Sequence, residues 1–181
     1  FLKIQSLYFE RITPIKKVEK LFDFMYLQPH VASGDSKDIK YEKQNYSFLK
    51  FQVVIKSDIM EPQALYLDSL KYLGLNIESN EIKFNNEKFE NFIFRLNSYS
   101  YRVLFNGNPI SRITYIQTLG NKDLNCVPIA ISYDLDKIAM LLQDLEDVWD
   151  INWNGAYNND QLTYRDIMYL SERDNYNFME A

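Results

Sequence analysis

The sequence predicts an α+β fold, with a mainly antiparallel sheet of five or six strands covered on one face by helices and a C-terminal helix–loop–helix. Short apolar runs that alternate with polar residues recur between turn-forming segments, as expected for hairpin strands. Other segments repeat apolar residues every three or four positions, which indicates amphipathic helices. The 181 residues are 46% hydrophobic and include five glycines and five prolines. We therefore expect one globular domain, residues 1–181, without a flexible linker.

Alternation and helical spacing define the elements of the first half. The best strand is Tyr46–Lys56, where Leu49, Phe51 and Val53 share one predicted apolar face. The following helix has Pro62 in its first turn and should end at Gly74, covering that face. In chain order, the predicted elements are a strand at 2–10, a helix at 13–28, a strand at 46–56, a helix at 61–73, a strand at 75–84 and a helix at 86–96.

The second half begins with a predicted hairpin, in which the turn Asn106-Gly-Asn-Pro109 joins strands at 99–105 and 111–119. A second turn at 120–123 leads to a strand that ends at Tyr133. An amphipathic helix is predicted at 134–149, with an acidic side opposite an apolar side that includes Trp149. A loop then leads to a last helix at 162–173, which Thr163 should cap with Asp166 three residues later.

Composition excludes several kinds of site. The chain has one cysteine, Cys126, and one histidine, His30, so a zinc site built from His and Cys is excluded and a Ser-His-Asp triad would need His30. No apolar run reaches the length of a membrane span, and the first residues lack the pattern of a leader. We expect a cytoplasmic protein without a membrane contact, a cofactor or a metal.

Charge is distributed unevenly along the chain. Residues 1–120 carry 16 Lys and Arg against 13 Asp and Glu, whereas residues 121–181 carry 4 against 12. The two parts therefore have net charges of +3 and −8. An acidic C-terminal third disfavours nucleic acid and favours a basic protein surface or a cation as the partner.

The segment Asp150–Gln161 resembles the calcium loop of an EF-hand. Asp150, Asn152 and Asn154 occupy the first three side-chain ligand positions, and Gly155 occupies the position of the required turn. Gln161 stands where that family has a bidentate Glu. The resemblance therefore implies weak calcium binding.

Two further patterns resemble metal-dependent enzymes. The strand followed by Asp134-Leu-Asp136 is similar to the nucleophile motif of haloacid-dehalogenase-type phosphatases, which implies that Asp134 is the nucleophile. Glu81-Ile-Lys83 resembles the Glu-x-Lys of metal-dependent nucleases, with Asp58 as the partner carboxylate. A phosphohydrolase, a nuclease or a weak calcium-binding protein is therefore the alternative function.

The preferred hypothesis is a non-enzymatic acidic binding protein of the inhibitor or immunity type, which occludes a basic surface of a partner protein. Acidic side chains beside exposed aromatic rings are typical of a protein-binding surface. The predicted partner-binding residues are Asp144, Asp147, Asp150, Trp153 and Tyr157. No catalytic residue is predicted, and the sequence does not indicate the oligomeric state.

Overall fold

The computed structural model describes residues 23–31, 47–55, 61–91, 96–119, 122–123, 126–154 and 162–180. The predicted strand at 2–10 and most of the predicted helix at 13–28 lie outside these residues. The strands are β1 Phe24–Val31, β2 Ser47–Ile55, β3 Ile82–Asn91, β4 Leu96–Phe105, β5 Asn108–Leu119, β6 Lys122–Asp123 and β7 Ile129–Asp134. The helices are α1 Pro62–Tyr72, α2 Leu135–Leu142 and α3 Tyr164–Glu180, with a 3₁₀ turn at Val148–Asp150.

One sheet contains all of these strands, in the order β1-β2-β7-β5-β4-β3, with the short β6 paired to β5. Strand β2 pairs antiparallel with β7, and β5 pairs antiparallel with β7, β4 and β6. Strand β4 pairs antiparallel with β3 as well. The predicted α+β class with a mainly antiparallel sheet is therefore confirmed.

The described residues divide into two compact units. One contains the residues up to Gln28 and those from Lys50 to Asp134, and the other contains Pro29–Leu49 and the residues from Leu135 onward. The prediction of one globular domain over 1–181 stays a prediction. Among the described residues, no helix combines the length and the apolar character needed to cross a lipid bilayer.

The hairpin of β4 and β5 turns where it was predicted. Asn106 and Gly107 both have positive φ, 48° and 83°, and Phe105 pairs with Asn108 across the turn. Two left-handed residues in a row form the turn whose twist matches that of antiparallel strands, and Asn-Gly is its preferred sequence. This turn starts the register between β4 and β5.

The sheet register separates two faces of different character. One face, here called the aromatic face, carries the rings of Phe51, Phe84, Tyr101, Tyr115 and Tyr133. Helix α1 packs on it through Tyr66, which is fully buried, stacks on Tyr133 at 5.5 Å and meets the Phe84 ring edge-on at 6.3 Å. The hydroxyls of Ser69 and Tyr133 also share a hydrogen bond of 2.8 Å. Aromatic contacts therefore fix α1 on the sheet.

Helix α1 lies where it was predicted, but the side of the helix that is buried differs from the prediction. Leu70 is fully buried as expected, whereas Ala64, Leu65 and Leu73 lie exposed and Tyr66 takes their place. The helix ends as predicted, because Gly74 has a φ of 97° and the amide of Leu75 donates to the carbonyl of Leu70.

Helix α2 is half as long as predicted, so the expectation of a helix over 134–149 is wrong. Asp144 adopts a φ of 53°, and the amide of Leu145 donates to the carbonyl of Met140 over 2.9 Å. This is the same terminating arrangement as in α1, with an aspartate in place of glycine. The carboxylate of Asp147 then accepts from the amide of Trp149, which caps the 3₁₀ turn.

Strand β3 occupies a segment for which the end of one strand and the start of a helix were predicted. The expected strand at 75–84 begins only at Ile82, and the helix expected from Asn86 is instead the second half of β3 as far as Asn91. All ten residues of β3 pair with β4, from Ile82 opposite Phe105 to Asn91 opposite Leu96. A continuous ladder satisfies the backbone hydrogen bonds of this segment, so pairing overrides its helical spacing. Likewise, Met25 lies in strand β1, not in a helix.

The unit that contains α2 and α3 has its own small core of Val148, Trp149 and Ile151. The Trp149 ring meets Tyr169 of α3 edge-on at 5.1 Å, which confirms the prediction that Trp149 is buried. Helix α3 begins after Thr163, whose amide and hydroxyl both donate to the Asp166 carboxylate over 2.8 Å. These hydrogen bonds lower the pKa of Asp166 and confirm the predicted cap.

Candidate functional site

The sheet face opposite the aromatic face, here called the polar face, carries two rows of side chains in register. Directly opposed residues of an antiparallel sheet share a face, so each row can be read from the pairing. The first row runs across five strands and consists of Gln52, Ser132, Arg112, Arg102 and Asn85. The second consists of Val54, Ala130, Thr114, Ser100 and Glu87.

Two arginines face each other in the first row and are joined by one carboxylate. Glu87 accepts from Nε of Arg102 over 2.7 Å and from Nη2 of Arg112 over 3.1 Å. Like charges directly opposite on neighbouring strands repel, and the glutamate offsets that repulsion. The cluster of Arg102, Arg112 and Glu87 keeps a net charge of +1 and is here called the arginine pair.

Side chains near the arginine pair are small or hydrogen-bonded. In the second row, Ala130, Thr114 and Ser100 lie side by side on the three central strands. The Ser100 hydroxyl donates to the carbonyl of Glu87 over 3.1 Å, and Nε2 of the buried Gln52 donates to the Ser132 hydroxyl over 2.9 Å. The floor beside the guanidinium groups is thus polar and takes up little volume.

This arrangement is suited to binding an anionic group. A planar guanidinium matches the geometry of carboxylate and phosphate oxygens. The side chains of Arg102 and Arg112 are 45% and 36% exposed, so a ligand can reach them. Because Glu87 bridges both, neither side chain can turn away without losing an ion pair.

Sequence reasoning did not identify the arginine pair. A one-residue bulge in β5 at Ile110 shifts the register between Val103 and Leu104, which places Arg112 opposite Arg102. Without it, the turn at Asn106 and Gly107 would pair Arg102 with Ser111 and send Arg112 to the aromatic face. The alternation in the two strands is visible in the sequence, but the bulge is not.

The residues predicted to bind a partner protein lie in the unit of α2 and α3. Asp144 is exposed at the end of α2, and Trp153 is 56% exposed with its ring 5.5 Å from that of Tyr164. Tyr157 lies outside the described residues. Asp147 and Asp150 both pair with Arg165, over 3.3 and 3.6 Å. Their assignment to a partner surface stays a prediction.

The acidic helix side on which that prediction rested does not form. Asp136 lies in the first turn of α2 and is buried, and Tyr164 donates to its carboxylate over 3.2 Å. Burial and then the nearby Asp136 raise the pKa of Tyr164 to about 12. Because α2 ends at Leu142, Asp147 and Asp150 follow the helix and do not continue one of its sides.

The described residues of the motifs that suggested metal chemistry are not grouped as metal ligands would be. Asp134 ends β7 in register with Lys50, and Glu81 forms an ion pair of 2.9 Å with Lys83. Asp58 and residues 155–161 of the calcium-like loop lie outside the described residues. In the part of the chain that the structure describes, no three His, Cys, Asp or Glu side chains are grouped as metal ligands would be.

Comparison with known proteins identifies related sequences. The model of the family described as "Glycyl-tRNA synthetase alpha subunit" matches residues 8–181. The glycine–tRNA ligase alpha subunit of Wigglesworthia glossinidia brevipalpis is 33% identical over 149 residues, which are 81% of this chain and 48% of the relative. That of Buchnera aphidicola subsp. Baizongia pistaciae is 31% identical over 164 residues, 90% of this chain and 55% of the relative.

A third relative is the glycine–tRNA ligase of Chlamydia trachomatis serovar L2, which is 32% identical over 162 residues, 88% of this chain and 16% of the relative. The chain thus spans about half the length of the two alpha subunits and a smaller part of the third protein.

These matches overturn the functional predictions from sequence. The related proteins are ligases, so the hypothesis of a non-enzymatic inhibitor or immunity protein is wrong, as is the alternative of a phosphohydrolase, nuclease or calcium-binding protein. They are named for tRNA, so the argument from charge against nucleic acid, and for a basic protein surface, is wrong too. The net charge is a sum over the whole chain and does not describe a local cluster such as the arginine pair.

Proposed function

Because the chain belongs to the glycyl-tRNA synthetase alpha subunit family, we propose that it forms part of a glycine–tRNA ligase, an enzyme that joins glycine to tRNA. The single observation that carries this proposal is the family match over residues 8–181. We also propose that it acts with at least one other subunit, as the name of the relatives suggests. A tRNA ligase works where its tRNA is, so we propose a cytoplasmic location.

We propose the polar face as the substrate site. Joining glycine to tRNA makes an ester from the carboxylate of glycine and a hydroxyl of tRNA, and a ligase drives this step with a nucleoside triphosphate. The carboxylate and the phosphates are anionic. The arginine pair supplies two guanidinium groups of the kind that bind such groups.

A substrate would reach the polar face at the arginine pair, because Arg102 and Arg112 are partly exposed whereas the small residues beside them, Ala130, Thr114 and Ser100, are buried. In this proposal Glu87 positions both arginines, while Arg102 and Arg112 touch the substrate.

The test measures the attachment of labelled glycine to tRNA in the presence of ATP, with the full-length protein and the subunits that copurify with it. We expect Arg112→Gln to lower the rate at least about tenfold, since a hydrogen bond to a charged group contributes roughly 1.5–3 kcal/mol. The matched control is Arg173→Gln, which removes an exposed arginine whose ion pair is with its neighbour Asp174. The control should stay within about twofold of wild type.

Two results would contradict the proposal. If the intact enzyme attaches no glycine to tRNA, the ligase activity is refuted for this protein. If it does so but Arg112→Gln and Arg102→Gln act at the wild-type rate, the activity stands and the polar face is not its substrate site.

A further inference from the structure

A cavity of about 680 Å³ opens on the aromatic face, within the unit that contains α1 and strands β3 to β5. Its lining includes Glu61, Phe84, Tyr99, Tyr101, Tyr115 and Gln117. The volume falls in the range of sites that enclose a small organic molecule. The arginine pair lies on the opposite face of the same strands, so this cavity is separate from the proposed substrate site.

The walls of the cavity are aromatic rings set perpendicular to one another. Tyr101 meets Phe84 at 87° and 6.4 Å, Tyr99 at 84° and 5.3 Å, and Tyr115 at 80° and 6.2 Å between ring centroids. Each ring has a negative face and a positive edge, and the edge-on contacts hold the four rings in fixed orientations. Cations bind favourably over the faces of such rings.

The charge of the residues that line the cavity determines whether a cationic or an anionic ligand is favoured. Among the described residues that line the cavity, Glu61 alone carries a charge. It occupies the N-cap position of α1, yet its side chain makes no capping hydrogen bond, so the helix does not use the carboxylate. With a carboxylate and no lysine or arginine among the described residues of the lining, a phosphate or carboxylate ligand is disfavoured.

The tyrosine hydroxyls add no second charge. Burial, and then the nearby Tyr101, raises the pKa of Tyr115, so its phenol stays protonated at neutral pH. The described residues of the lining therefore offer neutral aromatic walls, hydroxyl groups and the negative charge of Glu61.

We propose that this cavity binds an organic cation, a guanidinium or alkylammonium group on an apolar stem, with the cation against the tyrosine rings and Glu61 as its counter-ion. The cation can belong to a free small molecule or to a basic side chain of a polypeptide, since the chemistry of recognition is the same. The proposal stands apart from the ligase activity, because it concerns the opposite face of the sheet.

The test titrates the full-length protein with arginine amide by calorimetry, in the absence of glycine and ATP. The matched ligand is citrulline amide, which has nearly the same shape without the charge. We expect arginine amide to bind about tenfold more tightly than citrulline amide, the ratio that a partly desolvated cation–π contact supports. Equal affinities, or no saturable binding of either ligand, would overturn the proposal.

Variants identify the binding site. Glu61→Gln should weaken arginine amide binding roughly two- to fivefold, as expected for an exposed ion pair. Tyr115→Leu should weaken it about tenfold, whereas Tyr115→Phe keeps the ring and the affinity. The controls are Glu78→Gln and Tyr72→Leu, which remove an exposed carboxylate and an exposed ring of the same unit outside the cavity lining. Wild-type affinity in both Glu61→Gln and Tyr115→Leu would refute the proposal.

Two more ligands distinguish a free small molecule from a basic side chain of a polypeptide as the source of the cation. If tetramethylammonium binds as tightly as arginine amide, the site takes a free small cation. If acetyl-Gly-Arg-Gly-amide binds more tightly than arginine amide, the site takes a basic side chain of a polypeptide. Should Tyr115→Leu fail to fold, as judged by its thermal melting, Glu61→Gln still decides the outcome because Glu61 lies exposed at the start of α1.

Discussion

The polar and aromatic faces of the sheet belong to the same strands, yet they differ in chemistry and in what covers them. On β4, Tyr101 packs among rings on one side while its neighbour Arg102 pairs with Glu87 on the other. The aromatic face packs against α1 through its rings, and the polar face combines buried residues such as Val54, Ser100 and Ala130 with the partly exposed ion pairs of Glu87. Burial therefore stabilises both faces, and the polar face differs in carrying the charged cluster that we propose as the substrate site.

The largest expected effect concerns the buried rings of the aromatic face. Tyr66→Ala removes a fully buried ring that contacts Tyr133 and Phe84, and it should lower the free energy of unfolding by about 3–5 kcal/mol. Urea unfolding followed by circular dichroism measures the change. Tyr72→Ala, which removes a 93% exposed ring from the same helix, should change stability by less than about 0.5 kcal/mol. If Tyr66→Ala and Tyr72→Ala lower the free energy of unfolding by similar amounts, the buried ring of Tyr66 does not stabilise the aromatic face.

Alkaline pH should weaken the aromatic face through its phenols. Burial is the main cause that raises the pKa values of Tyr66 and Tyr133, so the folded state holds their protons more strongly than the unfolded state does. Their contribution to stability is present below the ordinary phenol pKa, about 10. It is lost above that value, at roughly 1.4 kcal/mol per pH unit for each such tyrosine.

Urea unfolding at a series of pH values from 8 to 11 measures this loss. Tyr66→Phe should make the alkaline decline shallower, because one of the buried phenols is gone. The matched control is Phe84→Leu, which removes a ring of the same face without a titratable group and should lower stability by an amount that does not change with pH. A decline of unchanged slope in Tyr66→Phe would contradict the assignment.

Much of the fold follows from local signals in the sequence. The hairpin turn at Asn106 and Gly107 and the end of α1 at Gly74 were predicted, because these residues adopt positive φ at little cost. The end of α2 was missed because Asp144, a residue that seldom adopts this conformation, takes the place of glycine there. Local propensity identifies a helix end when the common residue occupies it and misses it otherwise.

The candidate site could not be predicted in the same way, because it depends on register. Arg102 and Arg112 share a face only through the bulge at Ile110, and Glu87 reaches them only because residues 86–91 form a strand. Each of these facts comes from pairing between distant segments, which the spacing of apolar residues does not encode. The family was likewise visible only through comparison with related chains.

The smallest expected effect concerns the ion pairs of the polar face. Glu87→Gln leaves Arg102 and Arg112 directly opposite each other with like charges. Because both side chains are partly exposed, we expect a loss of less than about 1 kcal/mol in the free energy of unfolding, and a smaller loss in high salt. Urea unfolding at 0.05 and 1 M sodium chloride measures both quantities.

The control for this variant is Glu81→Gln, which breaks the ion pair between Glu81 and Lys83. Both side chains are more than half exposed, and Lys83 lies opposite Leu104, not opposite a second cation. This control should change stability little and without a salt dependence comparable to that of Glu87→Gln. Adding Arg102→Gln to Glu87→Gln removes one of the two facing charges, so the double variant should regain the stability that the single variant loses. If instead the double variant is the less stable of the two, Arg102 stabilises the polar face by its packing, and repulsion between the arginines is not the dominant effect.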